Sequence, residues 1–462
     1  MKPSIFRKVK GIHMVGIGGS GMCGLAEILL NLGFNVTGSD MTRTAVVERL
    51  EKLGIRTYRD HAGSQVGEAD VVVISSAVKV DNPEVKEAES RKIPVIWRAE
   101  MLAELMRMKH GIAIAGTHGK TTTTSMCGQI LQEGGLDPTL VVGGQVRNLG
   151  TGVQVGTGDY LVAEADEFDR SFLTLSPTIA VVTNIESEHL DCYKDLDEIM
   201  DAFVTFLNKV PFYGSALVCV DEPGVLKIMH RLKRKVITFG LNGDARFSAK
   251  ELEFDGLSSS FTLTVGGTKA GRVKLQIPGV HNVKNALAAI TVGYELDIEF
   301  EIIKKALGSF SGVHRRFELK GEPGGILVVD DYAHHPTEIK AALKGARAGW
   351  GDRRIVVVFQ PHLYSRTRLF HEEFGSSFDE ADLLIVTDIF PAREEPVEGV
   401  TGEMIATAAK NHGHQNVVYV DDENKDSLCE KLCTMVQPGD IVMTVGAGDI
   451  WKVSDKLLGL LS

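Results

Sequence analysis

Residues 112–122, IAIAGTHGKTT, set an apolar run, a glycine-bearing loop and the start of a helical pattern in the order a phosphate cradle requires. In such a loop the backbone N–H groups of Gly116, Thr117, His118 and Gly119 wrap a β-phosphate. Lys120 then reaches the β- and γ-oxygens, and the hydroxyl of Thr121, with Thr122 beside it, holds Mg²⁺. Ile114 stands where the longer form of the motif has its first glycine, so the loop is a shortened variant. Downstream, YLVAEADEFD ends an apolar run with Glu164, Asp166, Glu167 and Asp169. One carboxylate at a strand end beside a phosphate loop completes a Mg²⁺ shell. Glu164 is expected in that role, and Glu167 is expected to lie behind it or in solvent. IAVVTNIESEHLD ends a further run with Glu186, Glu188, His189 and Asp191. At the mouth of a second parallel strand, a metal or phosphate role for His189 is as expected as an ordinary loop position, while Glu186 and Glu188 are expected to be solvated. Near the start, Gly16-Ile17-Gly18-Gly19-Ser20-Gly21 spells G-x-G-x-x-G, and Asp40 follows about twenty residues on, at ribose-hydroxyl distance in a dinucleotide site. Alone this reads as an NAD site, yet the same loop serves any nucleotide diphosphate. It identifies a diphosphate, not a chemistry.

The elements that must carry these residues alternate short β-rich runs with longer helical patterns, which is the signature of an α/β fold with parallel sheets. One series comprises IHMVGIG, FNVTGSD, VVVISSAV and PVIWR; a second runs from GIAIAGTHGK through TLVVGG, YLVAEAD, IAVVTNIE, SALVCVD and KVITFG; a third from GILVVDDYAHHP to IVMTVGAGD. Residues 249–277 alternate polar and apolar around Gly-Gly and are expected to form antiparallel hairpins. Three domains follow, each built on a mostly parallel sheet, with boundaries at 1–107, 108–316 and 317–462. The 462 residues leave room for about three domains of ordinary size. A net charge of −11 disfavours nucleic acid as a partner. No apolar run approaches the length needed for membrane insertion. The six cysteines are scattered without zinc or disulfide spacing, and the glycine-rich stretch after MKPSIFRKVK is a poor signal helix, so a reduced, cytoplasmic protein is expected.

In order along the chain stand GIGGSGM, GTHGKTTT, EADEFD, NIESEHLD, HNVKNALAA, GVHRRFE, DDYAHHPTE, FQPHLYSRT and GAGDI. Together, from about residue 11 to residue 450, they resemble the Mur ligases of peptidoglycan synthesis, and DDYAHHP and FQPHxYxRT are far more restrictive than either glycine loop. The resemblance implies a Rossmann-like UDP-sugar domain, a central P-loop ATPase domain and a Rossmann-like amino-acid domain. Carried over, it implies that Gly18, Gly19, Ser20, Gly21 and Met22 hold a UDP diphosphate, with Ser39 and Asp40 near the uridine. It makes Gly116–Thr122 the ATP loop and Glu164 and His189 Mg²⁺ ligands with Thr121. It sets Asn282 and Asn285 at the adenine, and Arg316 and Asp331 at ribose and phosphates. His334 and Arg366 would lie by the reacting carboxylate and the incoming amino acid. Two positions depart from the pattern. Phe203 stands where several relatives carry a carbamylated lysine, and Leu363 replaces an arginine found in some members.

The implied reaction is ATP-dependent attachment of L-alanine to the lactyl carboxylate of UDP-N-acetylmuramate through an acyl phosphate. Lys120, His189 and His334 are the candidate catalytic groups, and ATP, Mg²⁺, UDP-N-acetylmuramate and L-alanine the small-molecule partners. Three alternatives stand beside it: a recycling ligase that adds an intact peptide, an NAD-dependent oxidoreductase, and a nucleotide-gated binding module without turnover. Oligomeric state is not legible in the sequence.

Overall fold

The computed structural model describes residues 8–75, 77–144, 152–188, 192–392, 394–421 and 425–461. Five parallel strands, β1 (Gly11–Val15), β2 (Asn35–Asp40), β3 (Arg56–Arg59), β4 (Val71–Ile74) and β5 (Val95–Trp97), lie in the order β3-β2-β1-β4-β5. The order reverses at β1, so a crevice opens at the carboxyl ends of β1 and β4, where Gly16 begins the first glycine loop. Short, polar β3 pairs through Arg56–Arg59 on the edge of the sheet and carries no apolar signal in the sequence.

The second sheet contains β6 (His110–Ala115), β7 (Thr139–Val141), β8 (Val153–Gln154), β9 (Tyr160–Glu164), β10 (Ile179–Val182), β11 (Ser215–Cys219) and β12 (Val236–Gly240). It continues into β13 (Phe247–Asp255), β14 (Ser258–Val265) and β15 (Thr268–Leu275), the hairpins expected from the Gly-Gly turns. The full order is β15-β14-β13-β12-β11-β10-β6-β9-β7-β8. β6 therefore runs between β10 and β9, with Ile114 opposite Glu164 in register. That register delivers the phosphate loop and the two acidic strand ends to one edge of the sheet.

The third sheet orders β16 (Glu318–Gly321), β17 (Leu327–Asp331), β18 (Ile355–Phe359), β19 (Leu383–Val386), β20 (Val417–Tyr419) and β21 (Ile441–Val445) as β16-β17-β21-β18-β19-β20. β16 alone runs antiparallel, with a bulge between Leu319 and Gly321. Both faces of this sheet are covered: Val329, Val357 and Val445 enter one apolar cluster, and their neighbours Val328, Val356 and Val442 the other. That is why these strands read as unbroken apolar runs rather than as alternating ones.

Two compact units divide the chain: Met1–Lys250 with Leu263–Gly271 and Lys284–Leu307, and Glu251–Thr262 with Arg272–Val283 and Gly308–Ser462. The first sheet and strands β6–β12 of the second belong to the same unit and share a core, in which Ile12, Met14 and Leu25 connect through Met101, Met106 and Leu161 to Phe172, Phe203 and Phe206. Among the described residues no helix is long and apolar enough to cross a membrane.

Candidate active site

In the first unit the loop after β6 is built by two glycines at positive φ. Gly116 has φ 133°, and a Cβ on it would lie 2.1 Å from Thr183 Oγ1 and 3.0 Å from the Thr183 backbone nitrogen, so no side chain fits. Gly119, at φ 81°, precedes the helix Lys120–Glu133, and a Cβ there would meet Asn285 Oδ1 at 2.4 Å. The buried Asn285 is thereby brought to the loop. The end of β10 laces the loop in place. His118 N donates to Asn184 Oδ1 at 2.8 Å, Thr183 Oγ1 donates to His118 O at 2.6 Å, and Glu186 N donates to Thr117 Oγ1 at 2.9 Å. Thr183 and Asn184 escaped the sequence reading, although they stand directly before the acidic IESEHLD. Glu186 is not simply solvated, since Oε2 lies 3.5 Å from His118 Nε2, and Glu188 is buried. His189 lies outside the described residues.

Lys120 Nζ donates to Gly116 O at 2.8 Å, to Thr117 O at 3.2 Å, and to both Glu167 oxygens at 2.9 and 2.8 Å. Glu167 is thus neither solvated nor merely behind Glu164. It is buried and is the counter-charge of the loop lysine, and its carbonyl accepts from Tyr193 Oη at 2.7 Å. EADEFD leaves its strand after Glu164, so strand alternation no longer tells which way Glu167 faces. Burial opposes the Lys120 charge, but the carboxylates of Glu167, Asp166 and Glu164 outweigh it and hold the ammonium protonated well above its ordinary range. Burial likewise pushes the Glu167 carboxyl up, against Lys120. With several carboxylates around one ammonium, a carboxylate loses its charge first as pH falls.

Glu164, at the end of β9, accepts from Thr121 Oγ1 at 3.2 and 3.0 Å and from Gly143 N at 2.8 Å. A hydroxyl and a carboxylate side by side are hard oxygen donors, and they fit Mg²⁺ next to substrate phosphates. Thr122 is buried behind them. Phe203, where some relatives carry the modified lysine, is fully buried against Phe172 at 5.3 Å between ring centroids.

At the first glycine loop, Gly18 N donates to Asp40 Oδ2 at 2.9 Å and Thr42 N to Oδ1 at 3.0 Å, so Asp40 also fixes the loop it was expected to flank. The Ser39 carbonyl accepts from Gly16 N and Ile17 N at 2.9 and 3.0 Å. Its hydroxyl turns inward to Glu84 Oε2 at 2.7 Å, which leaves the Ser39 backbone rather than its side chain facing the loop. Met22 is buried, so any ligand meets its backbone. Glu84 is itself wholly buried. Burial opposes its charge, yet hydrogen bonds from His13, Ser39 and His61 hold its carboxyl below the usual range.

In the second unit, Asp331 ends β17 and accepts from Phe317 N and Ala333 N, both at 2.7 Å. Burial pushes its carboxyl up to about 6 despite Arg316. Glu338, unnoticed in the sequence although it closes DDYAHHPTE, gathers the neighbouring groups. It accepts from His334 N at 3.0 Å and lies 3.4 Å from Arg316 Nη1. His334 Nδ1 faces Tyr332 O at 2.9 Å; a carbonyl only accepts, so Nδ1 carries the proton and Nε2 keeps the lone pair of the neutral ring. The His362 ring stands 5.9 Å from that of His334, and Arg366 Nη1 lies 3.4 Å from His362 Nδ1. Arg316, Asp331, His334 and Arg366 therefore come together. Buried Asn282 belongs to this unit too and gives its amide to Pro278 O at 2.7 Å.

Residues 11–110 match the model of the Mur ligase family catalytic domain, residues 114–293 that of the Mur ligase middle domain, and residues 315–448 that of the glutamate ligase domain of Mur ligases. The chain belongs to the Mur ligase family. Over 98% of both chains this Mur ligase is 55% identical to UDP-N-acetylmuramate–L-alanine ligase of Geobacter sp. (strain M21). It is 52% identical to the enzyme of that name from Salinibacter ruber, covering 98% of this chain and 95% of the other. Among solved structures it is similar to UDP-N-acetylmuramate-alanine ligase from Thermotoga maritima, with TM-score 0.81, 29% identity, and 98% and 99% of the two chains covered. It is also similar to a murein peptide ligase from Psychrobacter arcticus, at TM-score 0.69 and 26% identity over 98% of each chain.

Proposed function

We propose that this Mur ligase uses ATP to join L-alanine to the lactyl carboxylate of UDP-N-acetylmuramate, in the synthesis of peptidoglycan precursors. The observation that carries the reading is Lys120, Thr121 and Glu164 meeting at the ends of adjacent strands, in a chain whose full-length relatives bear that enzyme's name. An NAD oxidoreductase would leave this second loop without a role. The free thiols of all six cysteines suit a cytoplasmic, reducing setting.

A carboxylate is a poor electrophile and hydroxide a poor leaving group, so the carboxylate needs activation. Phosphoryl transfer from ATP makes an acyl phosphate; the alanine amine then attacks its carbonyl, and phosphate leaves. The first step brings two anions together, and Lys120 is the group of this chain that spreads the transferred charge. Thr121 and Glu164, with His189, would hold Mg²⁺, which would neutralise phosphate charge during the transfer. Gly116–Thr122 and Asn285 would seat the nucleotide, and Asn282, Arg316 and Asp331 are the nucleotide-binding candidates of the second unit. Gly18–Met22 with Ser39 and Asp40 would seat the UDP-sugar, and Arg366 the amino acid. The amine must be neutral when it attacks, and His334 Nε2, or His189 where it is not committed to the metal, can accept its proton, an imidazole being matched to neutral pH. Water must stay out, because it would hydrolyse the acyl phosphate.

The test is phosphate release from ATP with UDP-N-acetylmuramate and each of L-alanine, glycine, L-serine and the peptidoglycan tripeptide. Release that requires both the UDP-sugar and L-alanine is expected. Preference for the tripeptide would transfer the reading to a recycling ligase, and release without an amino acid would end it.

A further inference from the structure

Arg98 opens the helix Arg98–Arg107, directly after β5. Its side chain lies over the first glycine loop: a Cβ placed on Gly21 would sit 3.0 Å from Arg98 Cδ, 3.1 Å from Nη1 and 3.2 Å from Nε. The last glycine of G-x-G-x-x-G thus lets a guanidinium lie close across it. Arg98 is only partly exposed and has no hydrogen-bond or ion-pair partner among the described residues. The nearby carboxylates are engaged elsewhere, Glu100 on Trp97 N at 2.7 Å and Asp40 on Gly18 N and Thr42 N.

A cation in the first turn of a helix opposes the positive end of that helix's dipole. The guanidinium also faces the amino end of a second helix, Ser20–Asn31, which has no side-chain cap and no acidic residue in its first turn. The guanidinium and the two helix amino ends converge where the nearest carboxylates, Glu100 and Asp40, are held by backbone N–H groups. Arginine in such a place matches a phosphate, whose oxygens accept two parallel N–H bonds.

We infer that Arg98 is a binding residue for the diphosphate of the UDP-sugar, clamping it from the side opposite the Gly18–Met22 backbone. The inference rests on the proposed function for the identity of the nucleotide, and on the geometry alone for the diphosphate. Its range of action is ground-state binding, since the diphosphate is remote from the bond being made.

The experiment compares wild type, Arg98→Met and Arg98→Lys by calorimetric titration with UDP-N-acetylmuramate, UDP and uridine, alongside the Tm of the ligand-free proteins. Arg98→Met should weaken UDP and the UDP-sugar by about tenfold or more, the loss expected for a hydrogen-bonded charge, and leave uridine unaffected. Arg98→Lys should fall between. The ligand-free Tm of Arg98→Met should be unchanged, because Arg98 has no hydrogen-bond or ion-pair partner among the described residues. Equal affinity of Arg98→Met and wild type for UDP would overturn the inference, as would a lowered Tm with equal losses for UDP and uridine, the pattern of a packing residue. A wild type that ignores the UDP-sugar but binds NADH in an Arg98-dependent way would sink the proposed function and leave the Arg98 clamp standing.

Discussion

At the scale of single residues, the acidic cluster after β9 divides its labour between two side chains three positions apart. Glu164 faces the hydroxyl of Thr121, and Glu167 faces the ammonium of Lys120. Their amide variants should fail differently. Glu164→Gln keeps an oxygen but loses the charge that Mg²⁺ favours, so the Mg²⁺ concentration for half-maximal activity should rise and kcat should fall. Glu167→Gln should leave the Mg²⁺ requirement within about twofold and instead destabilise the ATP-free protein by about 3 kcal/mol, because a buried lysine loses its principal counter-charge. A Mg²⁺ titration at saturating ATP, paired with urea unfolding without nucleotide, checks both. A larger Mg²⁺ effect from Glu167→Gln would redraw the metal site around that residue. Asp40→Ala belongs to this scale as well. Asp40 holds Gly18 N, so its loss should raise KM for the UDP-sugar while kcat at saturation changes little.

At the scale of elements, loop shape and strand ends govern. Gly119 has φ 81° and leaves no room beside Asn285. Gly119→Ala should therefore raise KM for ATP by about tenfold or more, from backbone strain and displacement of Asn285, while UDP-sugar affinity is retained. Initial-rate kinetics with each nucleotide varied in turn separate the two. At the end of β17 burial lifts the Asp331 carboxyl to about 6, above the ~3.9 of an unfolded chain. The folded protein then holds this proton more tightly than the unfolded one, so the contribution to stability is full below about pH 4 and is lost as pH rises through 6. Between those limits the loss is about 3 kcal/mol at ~1.4 kcal/mol per unit. Asp331→Asn should flatten that part of the stability–pH curve in urea unfolding of the unit that contains it, and parallel curves for variant and wild type would refute the assignment.

At the scale of the whole molecule, the proposed function has two glycine loops on two different sheets read two different nucleotides. Lys120→Ala should therefore abolish phosphate transfer and leave UDP-N-acetylmuramate binding nearly intact, measured by phosphate release and calorimetry side by side. Loss of UDP-sugar affinity with ATP turnover retained would contradict the separation. The separation is functional rather than a gap in packing, because the first sheet and strands β6–β12 of the second share one apolar core.

What the sequence by itself determined was whatever depends on neighbours along the chain. Unbroken apolar runs mark doubly covered parallel strands, and the glycine-bearing stretch before Lys120 marks a strand–loop–helix turn, because a loop and its following helix are local objects. Short edge strands such as β3 and β16 left no such trace, since their pairing comes from a neighbouring strand rather than from burial of their own side chains. The partners of Lys120, the inward turn of the Ser39 hydroxyl, the gathering role of Glu338 and the position of Arg98 over Gly21 were decided only by tertiary structure. Each joins residues distant in sequence or beyond a strand's end, where alternation no longer says which way a side chain points. Whether a charge there is solvated, paired or left waiting for an anion depends on what the fold brings against it.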